Sequence, residues 1–440
     1  MDKLYNKYDW DDFNMLSVIG IIFLFFLFFG VPIAFTMGAS ASIGVLFFSE
    51  MPAVLIPQQM FEGVNSFTLI AIPLFMLTGQ LMETGGISRR IVDFSYSIIG
   101  FIKGGLGITG ILTSTIFAGI SGSASADTAA VGSIMIPAMK RKRYPTGLAA
   151  TIIACAGSLG TIIPPSMVMI IYGSITGVSI GELFISGIIP GILMALGLMI
   201  VTYFYGHKYH LKEEGKIDFS EVLRTTKEAI WALVLPFILI GGILTGVVTP
   251  TEVGVIGVIY AFIAGTFIYK EIKLKEIPDI LKEASANSTM AIIIISGASI
   301  LGWLVAYEGL PQKIISSLTL VSNNKTVITL LVLFFILFIG MFIETIAATI
   351  MVAPILVSVT SGFDLDPLHF GFLMVAGFVF AGITPPVGGV LFISAGIGRA
   401  KMKDLLPYVP GYVGVMLLVL LLIVFFPTLA TFLPDLFFSE

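Results

Sequence analysis

Gly160-Thr161-Ile162-Ile163-Pro164-Pro165 lies inside an apolar segment running from 146 to 172, and Ala381-Gly382-Ile383-Thr384-Pro385-Pro386 lies inside another, from 368 to 397. Neither segment can be one continuous α-helix. The first proline of each pair brings no backbone N–H, and the pair frees carbonyls one turn earlier. The surrounding composition says what solvent these breaks sit in. Of 440 residues, 57% are hydrophobic and only 11% charged, with a mean hydropathy of +1.04. An average soluble domain carries about 25% charged residues, and a soluble chain of this size could not hide so much apolar surface. The sequence therefore reads as an all-α polytopic membrane protein. Its net charge of −4 gives no sign of a nucleic-acid surface. The lone Cys155 cannot form an intrachain disulfide. His207, His210 and His369 are too scattered for a haem or zinc site and read as ordinary residues.

A spanning helix needs about 20 apolar residues. Fitting that length between polar breaks predicts ten spans, at 14–30, 32–49, 65–83, 146–172, 180–205, 229–249, 251–269, 287–307, 368–397 and 405–430. Two further apolar stretches, 104–139 and 326–362, are each interrupted near the middle. The first carries Gly119-Ile120-Ser121-Gly122-Ser123-Ala124-Ser125-Ala126-Asp127, the second Gly340-Met341-Phe342-Ile343-Glu344-Thr345. Cytoplasmic loops collect Lys and Arg. The first stretch is flanked by Arg89, Arg90 and Lys103 before it and Lys140-Arg141-Lys142-Arg143 after it, whereas the second is flanked by basic-poor sequence. Both therefore read as re-entrant hairpins that return to the side they came from. The clusters at His207–Lys216, Lys270–Lys282 and Arg399–Lys403 then fall inside, with the N- and C-termini outside.

The halves match each other. Asp127-Thr128-Ala129-Ala130 runs to Pro137 as Glu344-Thr345-Ile346-Ala347-Ala348 runs to Pro354, and Asn65-Ser66 pairs with Asn287-Ser288. Gly79-Gln80-Leu81 pairs with Gly302-Trp303-Leu304. These offsets, with that of the proline pairs, are 217, 221, 222 and 223. Each copy holds about five full spans plus a hairpin. Five is odd, so the second copy enters the membrane upside down, the architecture of many secondary transporters. The predicted layout is a polar segment 1–13, a first repeat 14–206, a cytoplasmic linker 207–228, a second repeat 229–434 and a tail 435–440. Amphipathic arms are expected around 85–90 and 309–313.

Uncovered carbonyls at membrane depth need a partner. A sodium ion, a hard cation preferring oxygen, is one. One candidate cluster comprises the carbonyls near Gly160, Ile163 and Pro165 with Ser121 and Ser123. The other comprises those near Ala381, Thr384 and Val387, the Thr384 hydroxyl, Gly340 and Thr345. A proline kink closed by neighbouring helices is the alternative. Asp127 and Glu344, each the sole charge of its hairpin, are either helix caps supporting a cation or direct ligands or proton carriers. Glu182 and Glu252 read as capping residues. Ser123, Ser125 and Ser166 could meet a polar or anionic substrate or could simply allow close packing.

Taken together, Ser-Gly-Ser-Ala-Ser-Ala-Asp127, Gly-Thr-Ile-Ile-Pro-Pro-Ser166, Thr-Pro-Thr-Glu252 and Gly-Ile-Thr-Pro-Pro386 resemble the large membrane (M) subunit of the tripartite ATP-independent periplasmic (TRAP) transporters over nearly the whole chain. The resemblance implies an elevator transporter of the bacterial inner membrane, not an enzyme, driven by two or more sodium ions bound at the hairpin–break junctions. It also implies a periplasmic solute-binding (P) protein and a small four-helix membrane (Q) subunit as partners. Cargo would be a small organic acid such as a C4-dicarboxylate or sialic acid. About 13 residues precede the first span, so the small subunit is expected as a separate chain. Ala118 and Ala381 stand where symmetry suggests Gly or a hydroxyl. No GxxxxGK[ST] loop is present for ATP hydrolysis. A carrier of related fold that needs no binding protein, a channel and a membrane enzyme are the rival readings.

Overall fold

The structure, a computed structural model, describes residues 15–211 and 218–438. The polar segment 1–13 and part of the expected linker, 212–217, lie outside the described residues. Among those described, every regular element is helical. Six helices are long and apolar enough to cross a membrane by length and composition: Phe67–Thr84, Ile180–Lys208, Phe219–Leu244, Pro250–Ile268, Leu274–Tyr307 and Thr345–Gly362. A seventh forms if Val409–Phe425 and Thr428–Phe438, bent by 59° at Phe426-Pro427, count as one span. Large side chains such as Phe28, Phe47, Phe237 and Phe334 stand exposed on the outer surface. Surface of that kind is at home against lipid. The chain is a multi-pass membrane protein.

Ten spans, two of them broken, are expected from apolar length, whereas six or seven of the described helices are long enough to cross a membrane. The expected spans at 14–30 and 32–49 are helices of 14 and 16 residues, Met15–Phe28 and Ile33–Phe48. Gly30, with φ of +74°, and Pro32 turn the chain between them, where the sequence divides the two spans. Leu55–Glu62 is a further short helix. Of the linker's described residues, those to Lys208 belong to Ile188–Lys208 and those from Phe219 to Phe219–Leu244, which Asp218 caps, its carboxylate accepting from Ser220 N at 2.9 Å. The tail is helical through Phe438.

Both interrupted stretches are helical hairpins. The first has legs Gly105–Ser121 and Ala124–Arg141, the second Lys325–Gly340 and Thr345–Gly362. Lys325, at the start of the second hairpin, pairs with Asp364 just beyond its end, Nζ to Oδ2 at 2.7 Å. Its two ends therefore sit at one level. That pairing holds the exposed Asp364 carboxyl below its usual range. Both proline-pair segments are broken. Thr146–Ser158 and a 3-10 turn to Thr161 are followed after Pro164-Pro165 by Met167–Thr176. Pro367–Ala381 is followed after Pro385-Pro386 by Gly389–Gly398. The amphipathic arms are Ile87–Ile99 and Leu310–Val321, each entered through a left-handed glycine, Gly86 and Gly309. Thr249 and Glu252 form the capping box that Thr-Pro-Thr-Glu suggested, and Ser179 caps the helix holding Glu182.

Packing follows a reciprocal rule. The piece after the first break, Met167–Thr176, lies on the second hairpin's second leg, while Gly389–Gly398, after the second break, lies on the first hairpin's second leg. Likewise Ile33–Phe48 packs on Ile277–Tyr307, and Ala71–Thr84 packs on Pro250–Ile263. Each half is completed by the other.

Candidate functional site

Both hairpin tips and both breaks open onto one cavity of about 260 Å³. Its wall holds the first two residues of four helices: Ala124 and Ser125, Met167 and Val168, Thr345 and Ile346, Gly389 and Val390. The first N–H groups of a helix have no intrahelical acceptor, and its N-terminus carries a partial positive charge. Four such ends facing one space make it receptive to an anion, although no Lys or Arg lines it. Glu344 is the only ionisable side chain in the wall.

The first tip is tied to the first break. Met167 N donates to Gly122 O at 3.3 Å. Gly122 has φ of +66°, and a Cβ there would lie 2.6 Å from the Pro165 carbonyl oxygen. Gly122→Ala is therefore expected to cost about 1–3 kcal/mol and to lower the apparent Tm in detergent well below that of Gly30→Ala. Gly30 shares the positive φ but has nothing within 4 Å. Equal melting of the two variants would show that the tip does not depend on this close approach.

Asp127 is fully buried one turn inside the second leg. It is not the cap. Ser123 takes that place, accepting from Ala126 N at 3.4 Å, because Ser-Ala-Ser-Ala-Asp offers a capping oxygen four residues earlier. Asp127 Oδ1 accepts from the Ser121 hydroxyl, while Oδ2 has no hydrogen-bond partner among the described residues. A Cβ on Gly160 would run into this carboxylate, so the acid rests directly on the first break. The carbonyls of Gly160, Ile163 and Pro165 accept no hydrogen bond from the described residues. Ser121, Asp127, Gly160, Ile163 and Pro165 do not line the cavity; of the three break residues, Gly160 lies against the Asp127 carboxylate and Pro165 against the tip at Gly122.

The second junction is built differently. Glu344 is itself the cap, its Oε2 accepting from Ile346 N at 3.0 Å and Ala347 N at 3.2 Å. Thr345 Oγ1 donates to Phe378 O at 3.5 Å, and Thr384 Oγ1 donates to Phe380 O at 2.9 Å. The Ala381 carbonyl is not bare as expected: Thr384 N donates to it at 2.9 Å in a tight turn that closes the helix end. Gly340 approaches Ala381 closely enough that a Cβ on it would lie 2.6 Å from the alanine methyl. Gly340, Glu344, Thr345 and Val387 line the cavity; Ala381 and Thr384 do not.

Ser123 and Ser125 line the cavity, their hydroxyls 3.1 Å apart. Ser166 does not. It is fully buried, donating to Thr161 O at 2.6 Å and capping the following helix through Met169 N. Sequence reasoning missed Thr161, Gly382, Gly388 and Gly389 in the wall. The Gly-Gly directly after Pro385-Pro386-Val387 was the available signal, since a helix restarting after a break often needs a left-handed residue such as Gly388, at φ of +50°.

A membrane protein whose broken helices and hairpin tips present helix ends to one cavity has the build of a small-molecule transporter. The chain belongs to the family described as "Tripartite ATP-independent periplasmic transporter, DctM component", whose profile matches residues 20–429. It is 35% identical over 408 residues to the sialic acid TRAP transporter large permease protein SiaM of Vibrio cholerae, covering 93% of this chain and 96% of that protein. It is 36% identical over 400 residues to the C4-dicarboxylate TRAP transporter large permease protein DctM of Pseudomonas aeruginosa, covering 91% and 94%. The 2,3-diketo-L-gulonate TRAP transporter large permease protein YiaN of Escherichia coli is 33% identical over 400 residues, covering 91% and 94%. In fold, the chain resembles the Alcanivorax borkumensis YdaH transporter and Neisseria gonorrhoeae MtrF. Each has a TM-score of 0.59 and 14% identity, with 93% and 94% of this chain covered, and 98% and 96% of theirs.

Proposed function

We propose that this large permease subunit imports a small organic acid of the C4-dicarboxylate or sialic-acid class by sodium-coupled elevator motion. The acid is handed over by a periplasmic binding protein, and a small membrane subunit braces the frame. The supporting observation is the convergence of four helix N-termini and both hairpin tips on one cavity whose only charge is Glu344. An anion entering there meets four positive helix ends, and sodium ions at the flanking junctions offset the carboxylates of Glu344 and Asp127. Coupling follows from that balance: the acid is held best when the cations are present. Two inverted copies explain the reciprocal packing, and the hairpins with their broken helices form the part that moves.

Proteoliposomes holding the chain with its small membrane subunit, supplied with the binding protein and radiolabelled acids, test this. Saturable uptake that needs both an inward sodium gradient and the binding protein is the expected result. Equal uptake driven by a proton gradient without sodium would defeat the sodium reading. Rapid uptake by this chain alone would identify a carrier that needs no binding protein.

A further inference from the structure

A second cavity lies at the open end of the first hairpin, away from its tip. It measures about 510 Å³ and sits between both legs and the arm Ile87–Ile99. Arg89 enters it from the arm, and Arg141 and Lys142 from the end of the second leg; Asp93 is the one acid in its wall. The three cations are exposed. Leu106, Ile134 and Met135 supply apolar surface in the same wall. Thr109 also lines it, and its fully buried hydroxyl has no partner among the described residues. The arm turns Ile87, Ile91 and Val92 inward and Arg89 outward, as an amphipathic helix at a membrane surface does.

We propose that this cavity seats the headgroup of an anionic phospholipid. Its phosphate would lie between Arg89 and Arg141, and its glycerol and first acyl carbons would rest on Leu106, Ile134 and Met135. Basic pockets between helices at a membrane surface recognise such headgroups, and guanidinium groups suit phosphate. The apolar residues of the wall favour a lipid over a free anion, which would leave that surface uncovered. Because Arg89 belongs to the arm and Arg141 to the hairpin, one bound lipid would bridge the two elements. The inference needs only a membrane-embedded chain and is independent of the transport reading.

The test uses the full chain in detergent, incubated with dioleoylphosphatidylglycerol or with dioleoylphosphatidylcholine, and native mass spectrometry to read lipid adducts. Wild-type protein is expected to retain the phosphatidylglycerol and release the phosphatidylcholine. Arg89→Gln and Arg141→Gln should each reduce the retained phosphatidylglycerol about fivefold, the effect of one cation at an anionic surface. The double variant should lose more, while Arg89→Lys and Lys282→Gln, an exposed cation on another helix, keep it. Size-exclusion profiles check that all variants fold. Wild-type retention by the double variant, or equal retention of phosphatidylcholine, would overturn the proposal. Displacement of the lipid by an equal concentration of glycerol 3-phosphate would overturn it too, assigning the cavity to a soluble anion.

Discussion

Asp127→Ala should reduce sodium-driven uptake at least a hundredfold, to background, and Asp127→Asn should raise the sodium concentration for half-maximal uptake about tenfold or more. Asp127 is fully buried. A carboxylate inside a membrane protein is costly and persists where something offsets its charge. Here one oxygen accepts from Ser121, the other has no partner among the described residues, and the bare carbonyls of Gly160, Ile163 and Pro165 lie at the same break. Oxygens so grouped suit a hard cation, whose affinity depends on how many ligands carry charge. The asparagine variant separates this role from a structural one. Its carbonyl oxygen can still accept from Ser121, and its volume is nearly that of Asp, so a tip held only by that hydrogen bond would survive. Unchanged sodium activation in Asp127→Asn would reduce Asp127 to a packing residue. Uptake measured at several sodium concentrations distinguishes the outcomes.

The double variant Pro385→Ala with Pro386→Ala should abolish uptake while leaving the protein folded and at least as resistant to heat. Proline inside a helix costs about 3 kcal/mol relative to alanine, so the exchange favours joining Pro367–Ala381 to Gly389–Gly398. Joining them removes the helix N-terminus that Gly389 and Val390 present to the cavity, one of the four. Stability and transport should then move in opposite directions, which a damaged fold would not produce. Retention of half or more of wild-type uptake would mean that the second break is a tolerated kink with no part in transport. Thermal unfolding and initial uptake rates, measured on one preparation, read both quantities.

Much of this site was legible because prolines, glycines and isolated charges stand out against an apolar background. The hairpin legs end within a few residues of the expected limits, and both breaks fall where the proline pairs put them. The roles of Asp127 and Glu344 were not separable from sequence. Each follows its hairpin break, but Ser123 can cap the first helix and no hydroxyl precedes Glu344 in the second tip. Ser166 was equally ambiguous, since a serine after a proline pair can face a cavity or cap the next helix, and burial decided for the cap. The first two helices were legible too: the expected spans 14–30 and 32–49 correspond to Met15–Phe28 and Ile33–Phe48, divided at Gly30 and Pro32. The meeting of four helix ends depends on tertiary packing that no local pattern encodes.

The crossed seating of Met167–Thr176 and Gly389–Gly398 bears on how this polypeptide can be made. Each half, synthesised alone, would lack the broken-helix piece that the other half seats on its hairpin's second leg, so it would wait unfinished in the bilayer until the remainder emerged. Cut between 212 and 217 and co-expressed, the two fragments should find each other and restore activity, whereas either fragment by itself should be degraded.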